Sequence, residues 1–269
     1  MGMVRALLVT SRGNLAPGHP YRGWVHGFYP EVVKDALAGA ADLAVTGSTE
    51  ALSADVLSHF DVVVNNSLFL EPTTEQFDAL FSFVEAGGGF MALHTGLVSF
   101  LNDARYEQML GARFIGHAPI KAFQVDPNDV WYGWGVDGSP KHPISDGMAT
   151  FGTLDELYVE QVNTAELSVV ARAELLPVMW VRSFGSGRVA CLTLGHDAAA
   201  MAVPGFRHLL TNGVLWAASR QPVAPRSWPT GGELTQEQVG SVEVAHSDRD
   251  LVNLLTAARR GQGPATKRK

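Results

Sequence analysis

The feature that most constrains this chain is a set of short apolar runs alternating with segments of helical spacing. Residues 4–10 (VRALLVT), 61–65 (DVVVN) and 90–94 (FMALH) are near-continuous in apolar character, and Ala41–Thr46 is a weaker run of the same length. Runs this short are strands, and their continuity implies cover on both faces. Between them, Val25, Phe28, Val32, Val33, Ala36 and Leu37 predict a helix over residues 25–38, with Gly39 as its stop. Residues 53–60 predict a short helix capped by Ser53. Thr73 or Thr74 caps a longer one through Ala86, its core side given by Phe77, Leu80, Phe81 and Val84, before Gly87–Gly89 ends it. Strand and helix in alternation, joined by right-handed crossovers, give an α/β fold with an open, mostly parallel sheet flanked by helices. Ligands in such sheets collect beyond the carboxyl ends of the strands, which here means residues 11–24, 65–69 and 94–100.

The second half changes character. Short β-rich runs occur at residues 112–117, 120–125, 154–159, 167–173 and 178–184, an insertion-like set added to the parallel core. Residues 183–188 (SFGSGR) read as a hairpin turn into a further buried strand at 189–194, and residues 204–219 as a closing helix. After Arg220 the prolines and glycines increase, so residues 1–220 are expected to form one domain and 221–269 a linker with short helices and a basic tail.

Composition removes several function classes. The formal charge is −7 and the only basic cluster is at Lys267–Lys269, so no basic face for nucleic acid is expected. The N-terminal apolar run reads as a strand rather than a signal peptide, and no stretch reaches the ~20 apolar residues of a membrane helix. A single cysteine, Cys191, excludes an internal disulfide and fits a cytoplasmic protein. Its place in an apolar run marks it as a packed side chain rather than a nucleophile.

Two histidines stand out because each ends a buried run: His94 before a Thr-Gly turn, and His196 in Leu194-Gly-His-Asp197. If those strands are parallel neighbours, both rings reach one sheet edge, where an imidazole serves as acid, base or metal ligand. Asp155-Glu-Leu-Tyr158 adds carboxylates; strand alternation would pair Glu156 with Tyr158 on one face and Asp155 with Leu157 on the other. The long first loop carries His19, Tyr21, Arg22, Trp24 and His26, a mixture of aromatic faces and polar groups suited to a polyhydroxylated ligand. His26 also fits an ordinary first-turn helix position. His117, before Ala118-Pro119, can reach the same cleft, whereas His142 sets a loop.

The run Gly87-Gly-Gly-Phe-Met-Ala-Leu-His-Thr-Gly96 is followed in order by Met109-Leu-Gly-Ala-Arg-Phe-Ile-Gly-His117, His142-Pro-Ile-Ser-Asp-Gly147, Asp155-Glu-Leu-Tyr158, Pro177-Val-Met-Trp180, Leu194-Gly-His196 and Pro204-Gly-Phe206. This ordered series resembles the ThuA-like (trehalose utilisation) family over residues 4–218. The resemblance implies a class I glutamine-amidotransferase-like, flavodoxin-like sheet. In that fold a cysteine nucleophile occupies the place of His94, and a later strand supplies a histidine at the place of His196. Without the thiol, amidotransferase chemistry is not carried over. The family's association with disaccharide catabolism and 3-keto-glycosides implies a sugar-processing hydrolase or lyase, with a divalent metal ion as an admissible cofactor.

The expected site therefore has His94, His196 and Glu156 as acid/base groups or metal ligands, and His19, Tyr21, Trp24, His26, His117 and Tyr158 around a sugar. Two other readings compete with it. One is a non-catalytic sugar-binding or regulatory module; the other is a structural subunit that self-associates or docks a partner through residues 221–269.

Overall fold

The computed structural model describes residues 2–222 except 20, 25, 128–141 and 165–166. The linker and short helices expected over 221–269 lie outside the described residues, apart from 221 and 222.

A nine-stranded sheet forms the centre, in the order β2-β1-β3-β4-β11-β10-β9-β6-β7. Its parallel part comprises β2 (Ala41–Thr46), β1 (Val4–Val9), β3 (Val62–Asn65), β4 (Gly89–Leu93) and β11 (Gly187–Leu192). The antiparallel extension consists of β10 (Leu176–Phe184), β9 (Ser168–Ala173), β6 (Lys121–Asp126) and β7 (Phe151–Asp155). Strands β5 (Ala112–His117) and β8 (Tyr158–Val162) form a separate antiparallel pair. This is the mostly parallel α/β sheet that the apolar runs require, with the β-rich second half added at one edge.

The central strands are apolar on both faces because each face has its own core. On β1, Ala6 and Leu8 pack on one side and Leu7 and Val9 on the other; on β4 the same division separates Met91 and Leu93 from Phe90 and Ala92. Helices α1 (Pro30–Ala36), α5 (Ala198–Ala202) and α6 (Pro204–Ala217) contribute to the first core. Helices α2 (Ala54–Leu57), α3 (Thr74–Glu85) and α4 (Ala104–Leu110) contribute to the second. Helix α3 starts at a capping box between Thr73 and Gln76 and buries Phe77, Leu80, Phe81 and Val84, each side chain worth ~1.5–3 kcal/mol of apolar burial. None of the described helices is long and apolar enough to cross a membrane.

Two sequence expectations are corrected here. The helix expected from Val25 begins at Pro30: proline favours the first helical position and disfavours helical backbone at the residue before it, and Tyr29 has φ −127° and ψ 61°. His26 is therefore in the loop before α1, not in a helical turn; Val25 itself lies outside the described residues. The single strand expected over 154–159 is two strands. β7 stops at Asp155 because it pairs with β6 in the large sheet, whereas β8 starts at Tyr158 and pairs with β5. Helix α4 has no counterpart in the sequence reading.

Glu160 stands opposite Phe114 in the β5–β8 pair, and both carboxyl oxygens are buried without a hydrogen-bond partner from another described residue. Burial pushes its pKa up to about 8 from an ordinary value of 4.5. A carboxyl raised on folding favours the native state below the unfolded pKa, and that advantage is lost as pH rises towards the folded one. Glu160→Gln should thus unfold less readily than the parent by up to about 5 kcal/mol at about pH 9, with almost no gain at about pH 4, as urea melts would show. A gain of equal size at both pH values would contradict this account.

Candidate functional site at the carboxyl edge of the sheet

The site starts from the register of β4 and β11, parallel neighbours with Leu93 opposite Leu192. The residues just beyond them, His94 and Thr193, therefore emerge side by side. His94 has φ 46°, a left-handed conformation that costs a non-glycine residue ~1–3 kcal/mol and turns its side chain out of the strand direction. The following turn packs directly on β3: a Cβ at Gly96 would lie 2.0 Å from the Asn65 carbonyl oxygen, so only glycine fits.

The His94 ring is fully buried. Its Nδ1 lies 2.6 Å from the Thr193 carbonyl, which can only accept; that assigns the ring proton to Nδ1. Nε2 is then free to accept from the Tyr158 hydroxyl at 3.2 Å, and it lies 3.6 Å from Glu156 Oε2. Burial, then the neighbouring His26, pushes the His94 pKa down to about 3, so the ring is neutral.

Glu156 occupies the break between β7 and β8, which lets it turn towards the cavity. It is surrounded by imidazoles: besides His94, His196 Nδ1 lies 3.2 Å from Oε2 and His117 Nδ1 lies 3.4 Å from Oε1. Burial alone would raise its pKa, but His196, His117 and His94 together hold it below the usual carboxylate range. In turn the contact with Glu156 holds the His196 imidazole above its usual value. His26, in the loop before α1, closes the group with ring centroids 5.1 Å from His94 and 5.3 Å from His196. Burial, then His196, lowers its pKa to about 4.

Asp155 holds this arrangement from behind. Oδ2 accepts from Gly195 N–H at 2.7 Å, while Oδ1 accepts from His196 N–H at 3.1 Å and Glu156 N–H at 2.8 Å. One carboxyl thus tethers the segments that carry Glu156 and His196. Burial pushes its pKa up to about 7, opposed by those amides.

Above the histidines opens a cavity of about 230 Å³, lined by Trp24, His26, Leu68, Thr95, Val98, His117, Glu156, Tyr158 and His196. His117 and Tyr158 face it as cross-strand partners in the β5–β8 pair. Trp24 forms an aromatic wall with Phe114 and Phe69, at ring centroid distances of 6.3 and 6.0 Å.

Of the residues singled out from sequence, His196, Glu156, Trp24, His26, His117 and Tyr158 line the cavity. His94 lies directly beneath it. His19 and Tyr21 do not line it; they pack behind the wall, Tyr21 stacked on Phe69 at 6.0 Å and His19 tilted against both. Sequence reasoning missed Phe69 and Phe114, whose signal was weak because they come from different elements. It also missed the role of Asp155, for which an acidic residue beside Glu156 was the only sign. His142 accepts from the Ile144 N–H and packs on Trp216, the loop-setting role expected of it.

A flavodoxin-like α/β sheet with a histidine at the turn after its fourth strand, and a cavity at that edge, defines the class: the glutamine-amidotransferase-like fold without the thiol. The sequence matches the family model ThuA, described as trehalose utilisation, over residues 20–217, and the chain belongs to that family. A ThuA-like protein from Parabacteroides merdae is similar in structure, with a TM-score of 0.65 at 17% identity, covering 85% of this chain and 94% of that one. A second, from Bacteroides uniformis, has a TM-score of 0.59 at 17% identity, covering 81% and 94%. A cytoplasmic protein from Salmonella typhimurium has a TM-score of 0.54 at 10% identity, covering 80% and 98%. No curated protein matches the sequence.

Proposed function

We propose that this protein is a lyase-type enzyme that cleaves a 3-keto-glycoside by elimination, with Glu156 as the proton-transferring group. The observation that carries this reading is that the cavity, as formed by the described residues, contains one carboxylate, surrounded by imidazoles. Direct hydrolysis of a glycoside ordinarily uses two carboxyl groups flanking the scissile bond. The second carboxyl nearby, Asp155, is occupied by backbone amides and does not line the cavity. A single base suffices only where the substrate carries an acidified C–H, and a ketone at C3 acidifies the proton on C2.

Glu156 takes the C2 proton, the electron pair forms the enolate, and collapse of the enolate makes the C1–C2 double bond as the C1–O bond breaks. The protonated Glu156 returns its proton to the departing glycosidic oxygen, so atoms and charges balance. His196, which lines the cavity and whose imidazole Glu156 holds above its usual value, is the cationic group available to offset enolate charge. Trp24 offers a flat apolar face to the sugar ring. At about 230 Å³ the cavity is below the ~300–1,000 Å³ of drug-sized sites, a size suited to one sugar ring. The family's description as trehalose utilisation supports a disaccharide as the parent sugar.

The test compares 3-keto-trehalose with unoxidised trehalose, following enone absorbance and release of free glucose. Consumption of the keto sugar alone is expected. Equal cleavage of trehalose would overturn the elimination chemistry. Calorimetric binding of the keto sugar with no product would instead favour the non-catalytic sugar-binding module.

A further inference from the structure

We propose that His26, His94 and His196 form a binding site for one divalent transition-metal ion, zinc in the first instance, with its open coordination position facing the cavity. The site shares residues with the elimination reading above, but it rests on its own geometry and is tested without a sugar.

One nitrogen from each of the three rings lies within 4.8 Å of the other two. They come from three separate segments: the loop before α1, the turn after β4 and the loop after β11. Their convergence is thus a product of the fold rather than of helical spacing. Zinc–imidazole bonds of ~2.0–2.1 Å in a tetrahedral arrangement place ligand nitrogens roughly 3.4 Å apart. The rings need only tighten towards one another, and two of them, His26 and His196, are carried by loops.

Two further features favour a metal over a merely packed histidine cluster. His94 is oriented as metal-bound histidines usually are: Nδ1 is held by the Thr193 carbonyl, and Nε2 points into the group. His26 Nε2 is buried and has no hydrogen-bond partner among the described residues, an arrangement that leaves a ring nitrogen unused in the interior. A cation would satisfy it. His94 Nε2 accepts from Tyr158, and binding of an ion would exchange that hydrogen bond for a coordinate bond.

The donor set also selects the metal. Three imidazoles suit zinc, nickel, cobalt or copper, whereas magnesium and calcium need several oxygen ligands. Three histidines with a vacant fourth position is the pattern of zinc sites that act on substrate. Glu156 Oε2, 3.2 Å from His196 Nδ1, adjoins the site without having to enter it. An ion held there would bind the ketone oxygen and carry the enolate charge as a Lewis acid; no electron transfer is involved.

The experiment takes the full chain, dialysed against a chelator, and titrates it with Zn2+ by calorimetry and with Co2+ by visible absorption. One ion per chain and cobalt bands of a nitrogen-rich, four- or five-coordinate site are expected. His26→Ala and His196→Ala should each weaken zinc at least tenfold, with an unchanged thermal melt in the absence of metal. His26 is the decisive position, because its loop can lose the ring without disturbing the sheet. Zinc affinity that is undiminished in the His26→Ala, His196→Ala double variant would overturn the site, as would absence of stoichiometric binding. The two proposals fail separately: zinc binding without keto-sugar turnover removes only the elimination reading, and keto-sugar turnover by a chain that binds no zinc removes only the metal site.

Discussion

Replacing Glu156 with glutamine should lower turnover of a 3-keto-glycoside by about 10³-fold or more while leaving KM within a few-fold of the parent value. Glutamine preserves the volume and planar end of the side chain, so the cavity keeps its shape, but the amide cannot take a proton from carbon. General-base catalysis by a placed side chain is worth ~10²–10⁴-fold, and here no second carboxylate among the lining residues can substitute. Thermal stability should change little, because glutamine fills the same volume and its amide can still meet His117 and His196, which line the cavity with it. Steady-state kinetics on the keto sugar with a parallel melting curve would separate the two effects. A variant retaining more than a tenth of parental kcat would remove Glu156 from the chemistry.

How far such a site is legible beforehand depends on the range of the interactions that build it. The runs ending in His94 and His196 were readable because a strand covered on both faces leaves a continuous apolar signature, here the two separate cores on either side of β4 and β11. That these two strands are parallel neighbours was only a condition of the sequence reading, and the register of Leu93 with Leu192 meets it. Glu156 and Tyr158 do share the cavity side, but not by alternation along one strand. The chain changes sheets between Asp155 and Tyr158, and which partner a strand chooses is decided by segments forty residues or so away, as with Phe114 opposite Glu160. His26 illustrates the reverse case. Its spacing also fitted an ordinary first-turn helix position, whereas Pro30, legible locally, fixes where the helix begins and leaves the histidine free to turn inward. Of the wall of Trp24, Phe69 and Phe114 only Trp24 was singled out, because three separate segments supply it.

Asp155 is where stability and function are expected to meet, although it never touches the cavity. Its two oxygens accept from three amides, two of which belong to the loop that delivers His196 and one to Glu156 itself. Alanine would leave the buried Gly195 N–H, and that of His196 beside it, with no acceptor; an orphaned buried donor costs ~1–3 kcal/mol each, so Asp155→Ala should destabilise the fold by about 3 kcal/mol. For a domain of this size that is a fall in Tm of roughly 6–12 °C. Asparagine keeps the shape and one acceptor but turns an NH2 group towards at least one amide, so Asp155→Asn should fold with a smaller loss. Its distinguishing effect is kinetic. With His196 and Glu156 less firmly tethered, kcat should fall ten- to a hundredfold while KM stays nearly constant, since a displacement of about 1 Å in a reacting group costs that much. A purely structural carboxyl would lower Tm in both variants and leave kcat of the folded Asn protein at the parental level. That outcome would remove Asp155 as a positioning residue, and an Asp155→Ala protein melting with the parent would show that the amides it binds find other partners.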